Sequence, residues 1–244
     1  MQILTPLTTL SLNNLAHGEE KTSLKEKKYV LYTGALSLDA TKKENVAFIK
    51  ELQKVAKKEF KKEFDRNFYG AEDTMGLTDG NAFLGELKKT IKELEENDQE
   101  ELASEKREEY LAKARWYQDR FTIYVKSYSM PRFYKATIKD GKATVVAKKD
   151  SVIKPSEREE YIYSGAKILT MIKPVASHNT VKNTKSVYFE LQYGVFVTHG
   201  SELQPMEVEE EKEMQIKSIN SALEGIVLDE DVEMDLAEIE LPEE

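Results

Sequence analysis

The sequence predicts an α+β protein that is mainly β, a small antiparallel barrel of about five strands with a long helix after the first predicted strand. Between Arg120 and Met130, apolar residues alternate with polar or aromatic ones, which is the period of a half-buried strand. From Lys43 to Phe68, apolar residues recur at near-helical spacing. The pair Asp140-Gly141 lies between strand-like residues and indicates a tight hairpin.

The elements can be assigned in order along the chain. The segment YVLYTGALSL, residues 29–38, is rich in aromatic and β-favouring residues and predicts the first strand. Residues 43–68 predict the long helix, and residues 70–80 predict a loop that ends in the turn signal TDG. Residues 81–115 consist of strong helix formers interrupted by ND, so we expect a helical hairpin or one long polar helix. We interpret it as a solvated insertion that carries no chemistry. Further strands are predicted in RFTIYVKSYSM, FYKATIKDGKATVVAKKD, YSGAKILTMIKP and SVYFELQYGVFV.

Negative charge is concentrated in the carboxyl-terminal part of the chain. Residues 207–244 contain 15 acidic and 2 basic residues, a net charge of −13, whereas the whole chain carries −9. Residues 1–206 therefore carry a net charge of +4. This division predicts one mildly basic domain, residues 1–206, followed by an acidic tail, residues 207–244.

Composition limits the location and the chemistry of the protein. There is no cysteine, which excludes disulfides and thiolate metal sites and fits a reducing compartment. No stretch approaches the roughly 20 apolar residues of a membrane span. The opening segment MQILTPLTTLSLNN lacks a basic region and is interpreted as a strand or arm rather than a signal peptide. We expect a soluble, cytoplasmic protein that does not contact membranes.

Catalytic and metal-binding motifs are not found in the sequence. His17, His178 and His199 are far apart and lack the spacing of zinc ligands. There is no GxSxG elbow, no Walker loop and no GxGxxG. We therefore expect a protein that is not an enzyme and that needs no metal or cofactor.

The polar faces of the predicted strands combine aromatic rings with cations. Proteins that bind single-stranded nucleic acid without reading its sequence use this combination, because rings stack on exposed bases and cations neutralise phosphates. The alternative for any one tyrosine is a core or rim position in the sheet, since tyrosine favours strands. As a set, the residues predict binding of single-stranded DNA. The candidate DNA-binding residues are Tyr124, Lys126, Tyr128, Arg132, Phe133, Tyr134, Lys135, Tyr163, Lys167, Lys173, Lys182, Lys185 and Tyr188.

The acidic tail suggests a second role. A tethered polyanion competes with DNA for a basic groove at high effective concentration, and it becomes available to a partner when DNA displaces it. The alternatives are a solubilising disordered end or a short helix that packs on the domain. The candidate partner-binding residues are Asp229, Glu230, Asp231, Glu233, Asp235, Leu236, Glu238, Ile239 and Glu240.

The order of these segments resembles a known family. The strand YVLYTGALSLDA precedes a lysine-rich helix and GLTDGN; then follow FTIYVKSYSMPRFY, IYSGAKILTMIKPVA and TKSVYFELQYGVFVTHGSEL, and finally the acidic tail. This layout is similar to that of the replication single-stranded DNA-binding proteins of tailed bacteriophages, which have an OB fold and an acidic tail. The resemblance implies DNA binding across the barrel, and a tail that contacts a replication polymerase or helicase and mediates dimerisation. Residues 81–115 are an insertion relative to that layout, so the resemblance implies no role for them.

Two other functions remain open from the residues alone. The first is a protein-interaction or scaffolding module in which the acidic tail is the working end and DNA is not bound. The second is a metal-dependent nuclease acting on the same substrate. A gel-shift experiment at low salt tests the first, and incubation of DNA with magnesium or manganese tests the second.

Overall fold

The structure is a computed structural model that describes residues 1–23, 26–69, 73–139, 142–144, 151–179 and 183–200. It is an α+β fold, mainly β, in which the described residues form twelve strands and four α-helices. The strands are β1 (Ile3–Leu4), β2 (Thr8–Asn13), β3 (Glu19–Thr22), β4 (Lys28–Asp39), β5 (Asp73–Met75), β6 (Leu77–Asp79), β7 (Arg120–Ser127), β8 (Arg132–Lys135), β9 (Thr137–Lys139), β10 (Lys142–Thr144), β11 (Lys167–Asn179) and β12 (Thr184–Thr198). The helices are α1 (Lys43–Phe64), α2 (Gly80–Glu96), α3 (Glu100–Tyr117) and α4 (Arg158–Tyr161).

Five long strands are joined by pairings that return to their starting point. β11 pairs with β2, β2 with β4, β4 with β7, β7 with β12, and β12 with β11. Four of these pairings are antiparallel, whereas β7 and β12 are parallel. The sequence prediction of an antiparallel sheet was therefore wrong for this pair. Parallel neighbours require a long crossover connection, which the segment between β7 and β12 supplies.

Several predicted elements are confirmed with small changes. The long helix is α1, and the inserted segment is a helical hairpin formed by α2 and α3, with the break at residues 97–99. The strands on either side of Asp140-Gly141 pair as antiparallel neighbours, with Lys142 opposite Lys139. The opening segment, predicted as a strand or arm, forms β1 and β2, and β3 lies between it and β4. One correction applies: residues 70–80, predicted as a loop, contain the short strands β5 and β6.

One hydrophobic cluster lies between α1 and the inner face of the paired strands. Helix α1 contributes Ile49, Leu52, Ala56 and Phe60, which are buried and recur at helical spacing. Phe133 of β8 is fully buried in the same cluster. Gly194 leaves the room for its ring, because a Cβ at that position would lie 2.6 Å from Cδ1 of Phe133.

A second, smaller cluster covers part of the opposite face of the sheet. Its buried members are Tyr134, Leu169, Val195 and Val197, and Leu4 and Leu7 of the amino-terminal arm pack against them. The arm is fixed by Thr5, whose backbone N–H donates to the Thr170 carbonyl at 2.8 Å, while the Thr170 N–H donates to the Thr5 hydroxyl at 3.0 Å. The amino-terminal residues are thus joined to β11, far along the chain.

A buried ion pair fixes the segment that enters β5. The Asp73 side chain is 1% exposed and accepts from the Arg66 guanidinium at 2.6 and 2.7 Å and from the Tyr69 backbone N–H at 2.9 Å. The hydrogen bonds from Arg66 hold the pKa of Asp73 below its ordinary value, and burial opposes them only in part. The carboxylate is therefore ionised and fully hydrogen-bonded over the physiological range.

Replacing Asp73 by asparagine is expected to lower the free energy of unfolding by about 2–3 kcal/mol at neutral pH, because a half-buried guanidinium loses its charged partner. The pKa of Asp73 is lowered in the folded state, so its contribution is present above the unfolded value of 3.8 and is lost as pH falls through the folded value. Urea unfolding at neutral and acidic pH measures both effects. Glu63→Gln, an exposed change on α1, is the control; equal unfolding midpoints for the two variants at neutral pH would contradict the prediction.

Some expectations fall outside the described residues. These are the boundary at residues 206 and 207, the acidic tail with its candidate partner-binding residues, and Lys182. Within the residues that the structure does describe, no helix is long and apolar enough to cross a membrane.

Candidate nucleic-acid interface

A cleft of about 410 Å³ lies on the outer face of the sheet, the face opposite α1. It is formed where β4, β7 and β12 run side by side. Its lining residues are Asn14, Thr33, Gly34, Ala35, Gly76, Tyr124, Val125, Lys126 and Tyr188. Three of the sequence-predicted DNA-binding residues, Tyr124, Lys126 and Tyr188, are therefore brought together here.

The alternation of strand residues explains why these side chains share one face. In β7, Ile123 and Val125 are buried in the main core, so Tyr124 and Lys126 point to the outer face. The same alternation in β12 buries its odd-numbered residues from Val187 to Leu191 and turns Tyr188 outward. Aromatic and cationic side chains from two different strands therefore meet in the cleft.

The Lys126 ammonium lies between two tyrosine rings. Its Nζ is 3.5 Å from the centroid of the Tyr188 ring and 5.3 Å from that of Tyr128, and it donates to the Tyr128 hydroxyl at 3.2 Å. Tyr128 is 52% exposed, and its ring centroid is 5.9 Å from that of Tyr29, a residue of β4. The result is a row of rings around a cation that is held in place by cation–π contact.

The position of Tyr124 is fixed by a contact with helix α3. Its hydroxyl is 2.7 Å from the hydroxyl of Tyr117, the last residue of α3. Burial, and then the hydrogen bond to Tyr117, raise the pKa of Tyr124 to about 12. Burial also raises the pKa of Tyr188, with smaller contributions from Tyr128 and Glu190. Both phenols are therefore neutral at physiological pH and present no negative charge to a phosphate.

Gly76 lines the cleft, and its backbone joins β7 to β12. Its backbone accepts from the Tyr124 N–H at 2.8 Å and donates to the Val187 carbonyl at 2.9 Å. A Cβ at this position would lie 3.1 Å from the Tyr124 carbonyl oxygen, so the backbone bridges the two strands closely.

Lys173 lies on the same face, further across the sheet. In register it is opposite Glu190, which in turn is opposite Lys126. Paired residues point to the same side of a sheet, and neighbouring strands are about 4.8 Å apart. Lys173 is two strands away from Lys126, so their backbones are roughly 10 Å apart. Lys173 is exposed, and it therefore offers a second cation beside the cleft.

A buried arginine supports the segment that follows Tyr128. Arg158 of α4 is 3% exposed and donates to the carbonyls of Leu15 and Pro131. The first carbonyl follows Asn14 of the cleft, and the second ends the short segment from Tyr128. Arg158 thus joins the residue after Asn14 to the segment that follows Tyr128.

Three of the other predicted residues belong to a different cluster at the end of β12. The Lys135 ammonium is 4.1 Å from the centroid of the Tyr161 ring, and Tyr163 stacks on His199 with centroids 5.8 Å apart. The Lys167 ammonium donates to the Thr9 hydroxyl at 2.6 Å. From Tyr188 to Phe196 the strand advances roughly 26 Å, so Lys135, Tyr163 and Lys167 are not part of the cleft.

The prediction is wrong for the orientation of three residues. Phe133 is fully buried in the main core and Tyr134 is 2% exposed in the second cluster, so neither ring is available for stacking on bases. Lys185 faces α1, where its ammonium is 4.9 Å from the Phe64 ring centroid. Arg132, another predicted residue, is half-buried at the start of β8 opposite Tyr193 and lies outside the cleft lining.

Sequence reasoning missed Tyr29, Thr33, Asn14, Gly76 and Tyr117. Tyr29 and Thr33 could have been found, because they alternate with the buried Tyr32 in a strand that was recognised. The other three come from loops and from a helix end, and their positions depend on strand pairings that the sequence pattern does not specify. Within the described residues, no group of three or more histidine, aspartate or glutamate side chains is placed to hold a metal ion.

Comparison with known proteins finds similar solved structures. No family model and no curated protein matches the chain. The single-stranded DNA-binding protein from bacteriophage Enc34 has a similar structure, with a TM-score of 0.55 at 12% sequence identity over 87% of this chain and 89% of that chain. Its complex with single-stranded DNA gives a TM-score of 0.53 at 12% identity over 83% and 89%, and its C-terminal truncation gives 0.50 at 13% identity over 83% and 88%. The fold of this chain is thus similar to that of a bacteriophage single-stranded DNA-binding protein, which confirms the resemblance seen in the sequence.

Proposed function

We propose that the protein binds single-stranded DNA in the cleft of the outer sheet face and has no enzymatic activity of its own. The observation that carries this proposal is the Lys126 ammonium between the rings of Tyr188 and Tyr128. We further propose that the five strands joined in a closed series of pairings, with one parallel pair, form an OB-type barrel.

Base stacking is the first part of the mechanism. Each base stacked on an aromatic ring contributes roughly 1–3 kcal/mol, and every base has a ring face, so the interaction tolerates any sequence. Tyr188, Tyr128 and Tyr29 are placed close enough together for consecutive bases to use them. Three such contacts contribute roughly 3–9 kcal/mol, whereas micromolar binding needs about 8 kcal/mol, so phosphate contacts must supply the remainder.

Phosphate neutralisation is the second part. Lys126 and Lys173 lie on the same face as the rings, so a strand that stacks there brings its phosphates near both ammonium groups. The solved complex of the Enc34 protein with single-stranded DNA supports this choice of ligand, because it joins a similar fold to that ligand.

We expect binding to weaken with salt. The logarithm of the association constant should fall with the logarithm of salt concentration, with a slope of about −0.7 for each contacted phosphate. Lys126→Gln should reduce the steepness by about 0.7, because one contacted phosphate is lost. Lys54→Gln removes the same charge from the exposed surface of α1 and serves as the control. An unchanged slope in the Lys126 variant would rule out its phosphate contact.

The acidic tail is proposed to compete with DNA for this surface and to recruit a polymerase or helicase during replication or recombination. Residues 1–206 carry +4 and residues 207–244 carry −13, so the two parts attract each other. Dimerisation through the tail belongs to the same proposal.

Removing residues 229–244 is expected to strengthen binding of single-stranded DNA and to abolish partner recruitment, because an anionic competitor is lost. Filter binding with single- and double-stranded competitors measures the first effect. Weaker binding after truncation would contradict the competition model. In a gel-shift experiment, absence of any shift at low salt would favour the scaffolding function. Shortening of the DNA during incubation with magnesium or manganese would favour a nuclease.

A further inference from the structure

We infer that the helical hairpin formed by α2 and α3 extends the single-stranded DNA path beyond the cleft, through the rings of Tyr117 and Phe83 and the ammonium groups of Lys113 and Lys88. This inference rests on the proposed function and assigns a role to the inserted residues. The ligand is the same DNA strand, continuing from Tyr124 onto the hairpin.

The hairpin is anchored at the edge of the cleft. The Asp79 carboxylate caps α2 by accepting from the backbone N–H groups of Asn81 and Ala82. Asn81 and Asp119 exchange two hydrogen bonds of 2.9 and 3.1 Å, which join the start of the hairpin to its end. These bonds close the root of the hairpin, residues 79–83 and 117–120, and hold Tyr117 beside Tyr124.

A continuous series of aromatic contacts leads from the cleft onto the hairpin. The Tyr124 and Tyr117 hydroxyls are 2.7 Å apart, and the Tyr117 and Phe83 ring centroids are 5.0 Å apart. Phe83 and Tyr117 are only partly buried, so ring surface remains accessible beyond the cleft. Tyr110 lies two helical turns before Tyr117 on the same side of α3.

The pairing of rings with cations found in the cleft recurs on the hairpin. The Lys113 ammonium is 5.0 Å from the Phe83 ring centroid, and the Lys88 ammonium is 5.1 Å from that of Tyr110. These separations are similar to the 5.3 Å between the Lys126 ammonium and the Tyr128 ring centroid in the cleft. Two helices thus supply the same combination of stacking surface and positive charge.

The Glu109 carboxylate reduces the positive charge of this surface. Glu109 contacts the Lys106 and Lys113 ammonium groups at 2.6 and 2.5 Å, and these two lysines lower the pKa of Glu109 to about 2. Lys113 is therefore partly neutralised until a phosphate replaces Glu109. Further out, residues 93–101 contain six acidic residues and no basic ones, so the favourable surface is confined to the root half of the hairpin.

The test compares a short oligothymidine of about 4 nucleotides, which fills the cleft, with a long one of about 16. Both are titrated against the full chain and against Phe83→Leu and Lys88→Gln. Phe83→Leu keeps an apolar side chain but removes the ring, and Lys54→Gln on α1 is the control for charge. Thermal unfolding of each variant checks that the fold is intact. Trp116, the one tryptophan of the sequence, is 38% exposed beside Tyr117 and reports on the root through its fluorescence.

We expect each hairpin variant to weaken binding of the long oligonucleotide by roughly fivefold or more and to leave the short one unchanged. Glu109→Gln should strengthen binding of the long oligonucleotide, while the exposed neighbour Glu108→Gln should not. Trp116 emission should change with the long oligonucleotide only. If wild-type protein binds both oligonucleotides and the hairpin variants bind the long one as wild type does, this inference is overturned and the cleft remains. If wild type binds neither, the proposed function itself fails.

Discussion

Replacing Tyr188 by alanine is expected to weaken binding of single-stranded DNA by roughly 5- to 150-fold, which corresponds to the loss of one stacked base at about 1–3 kcal/mol. The Tyr188 ring lines the cleft and contacts the Lys126 ammonium at 3.5 Å. Its removal takes away a stacking surface and also the ring that holds Lys126 in place. Fluorescence anisotropy with a labelled oligothymidine at fixed salt measures the change.

Tyr188→Phe is the matched variant, because it keeps the ring and removes only the hydroxyl. It should bind within about twofold of wild type, since stacking depends on the ring face. Tyr69→Ala removes an exposed tyrosine that lies beside Arg66, away from the cleft lining. Equal losses for Tyr188→Ala and Tyr69→Ala would refute the cleft as the binding surface.

The second large effect is expected at the root of the hairpin. A Cβ on Gly80 would lie 2.6 Å from the Tyr117 carbonyl carbon, 2.7 Å from the Arg120 carbonyl oxygen, and closer still to the Tyr117 oxygen. These are backbone atoms, which cannot move aside as a flexible side chain would. Gly80→Ala should therefore lower the free energy of unfolding by about 3 kcal/mol, the upper end of the usual cost of overpacking.

Gly85 on the same helix provides the opposite expectation. A Cβ at this position meets nothing within 4 Å. Gly85→Ala should raise the free energy of unfolding by about 0.5–1 kcal/mol, because alanine loses less backbone freedom in a helix. Thermal unfolding of both variants tests the pair. A Gly80 variant as stable as the Gly85 variant would show that the root is not closely packed.

The local pattern of the sequence was enough to recognise the main elements and to predict three of the nine residues that line the candidate cleft. Alternation in β7 and β12 correctly sent Tyr124, Lys126 and Tyr188 to one face, because one side of these strands packs on a core. Lys185 is three residues from Tyr188 in the same strand, so alternation places it on the face opposite the cleft. Its assignment to the DNA-binding residues could therefore have been avoided.

Other features depend on contacts between distant segments. The alternation of Phe133 and Tyr134 in β8 does not reveal that both faces of this strand are covered, one by the main core and one by the second cluster with Leu4 and Leu7. The sequence pattern also did not predict the parallel pairing of β7 with β12, because the relative direction of two strands depends on how the chain between them runs.

The junction between Thr5 and Thr170 has a consequence for synthesis of the protein. Residues 165 positions apart in sequence must meet before the amino-terminal arm has its partners. On the ribosome, β2 therefore lacks its partner β11, and β7 lacks its partner β12, until those strands have been translated. The helical hairpin needs only its near neighbours in sequence and can form much earlier. Until β11 and β12 have been translated, apolar surface of their partner strands stays exposed to chaperones and to other nascent chains.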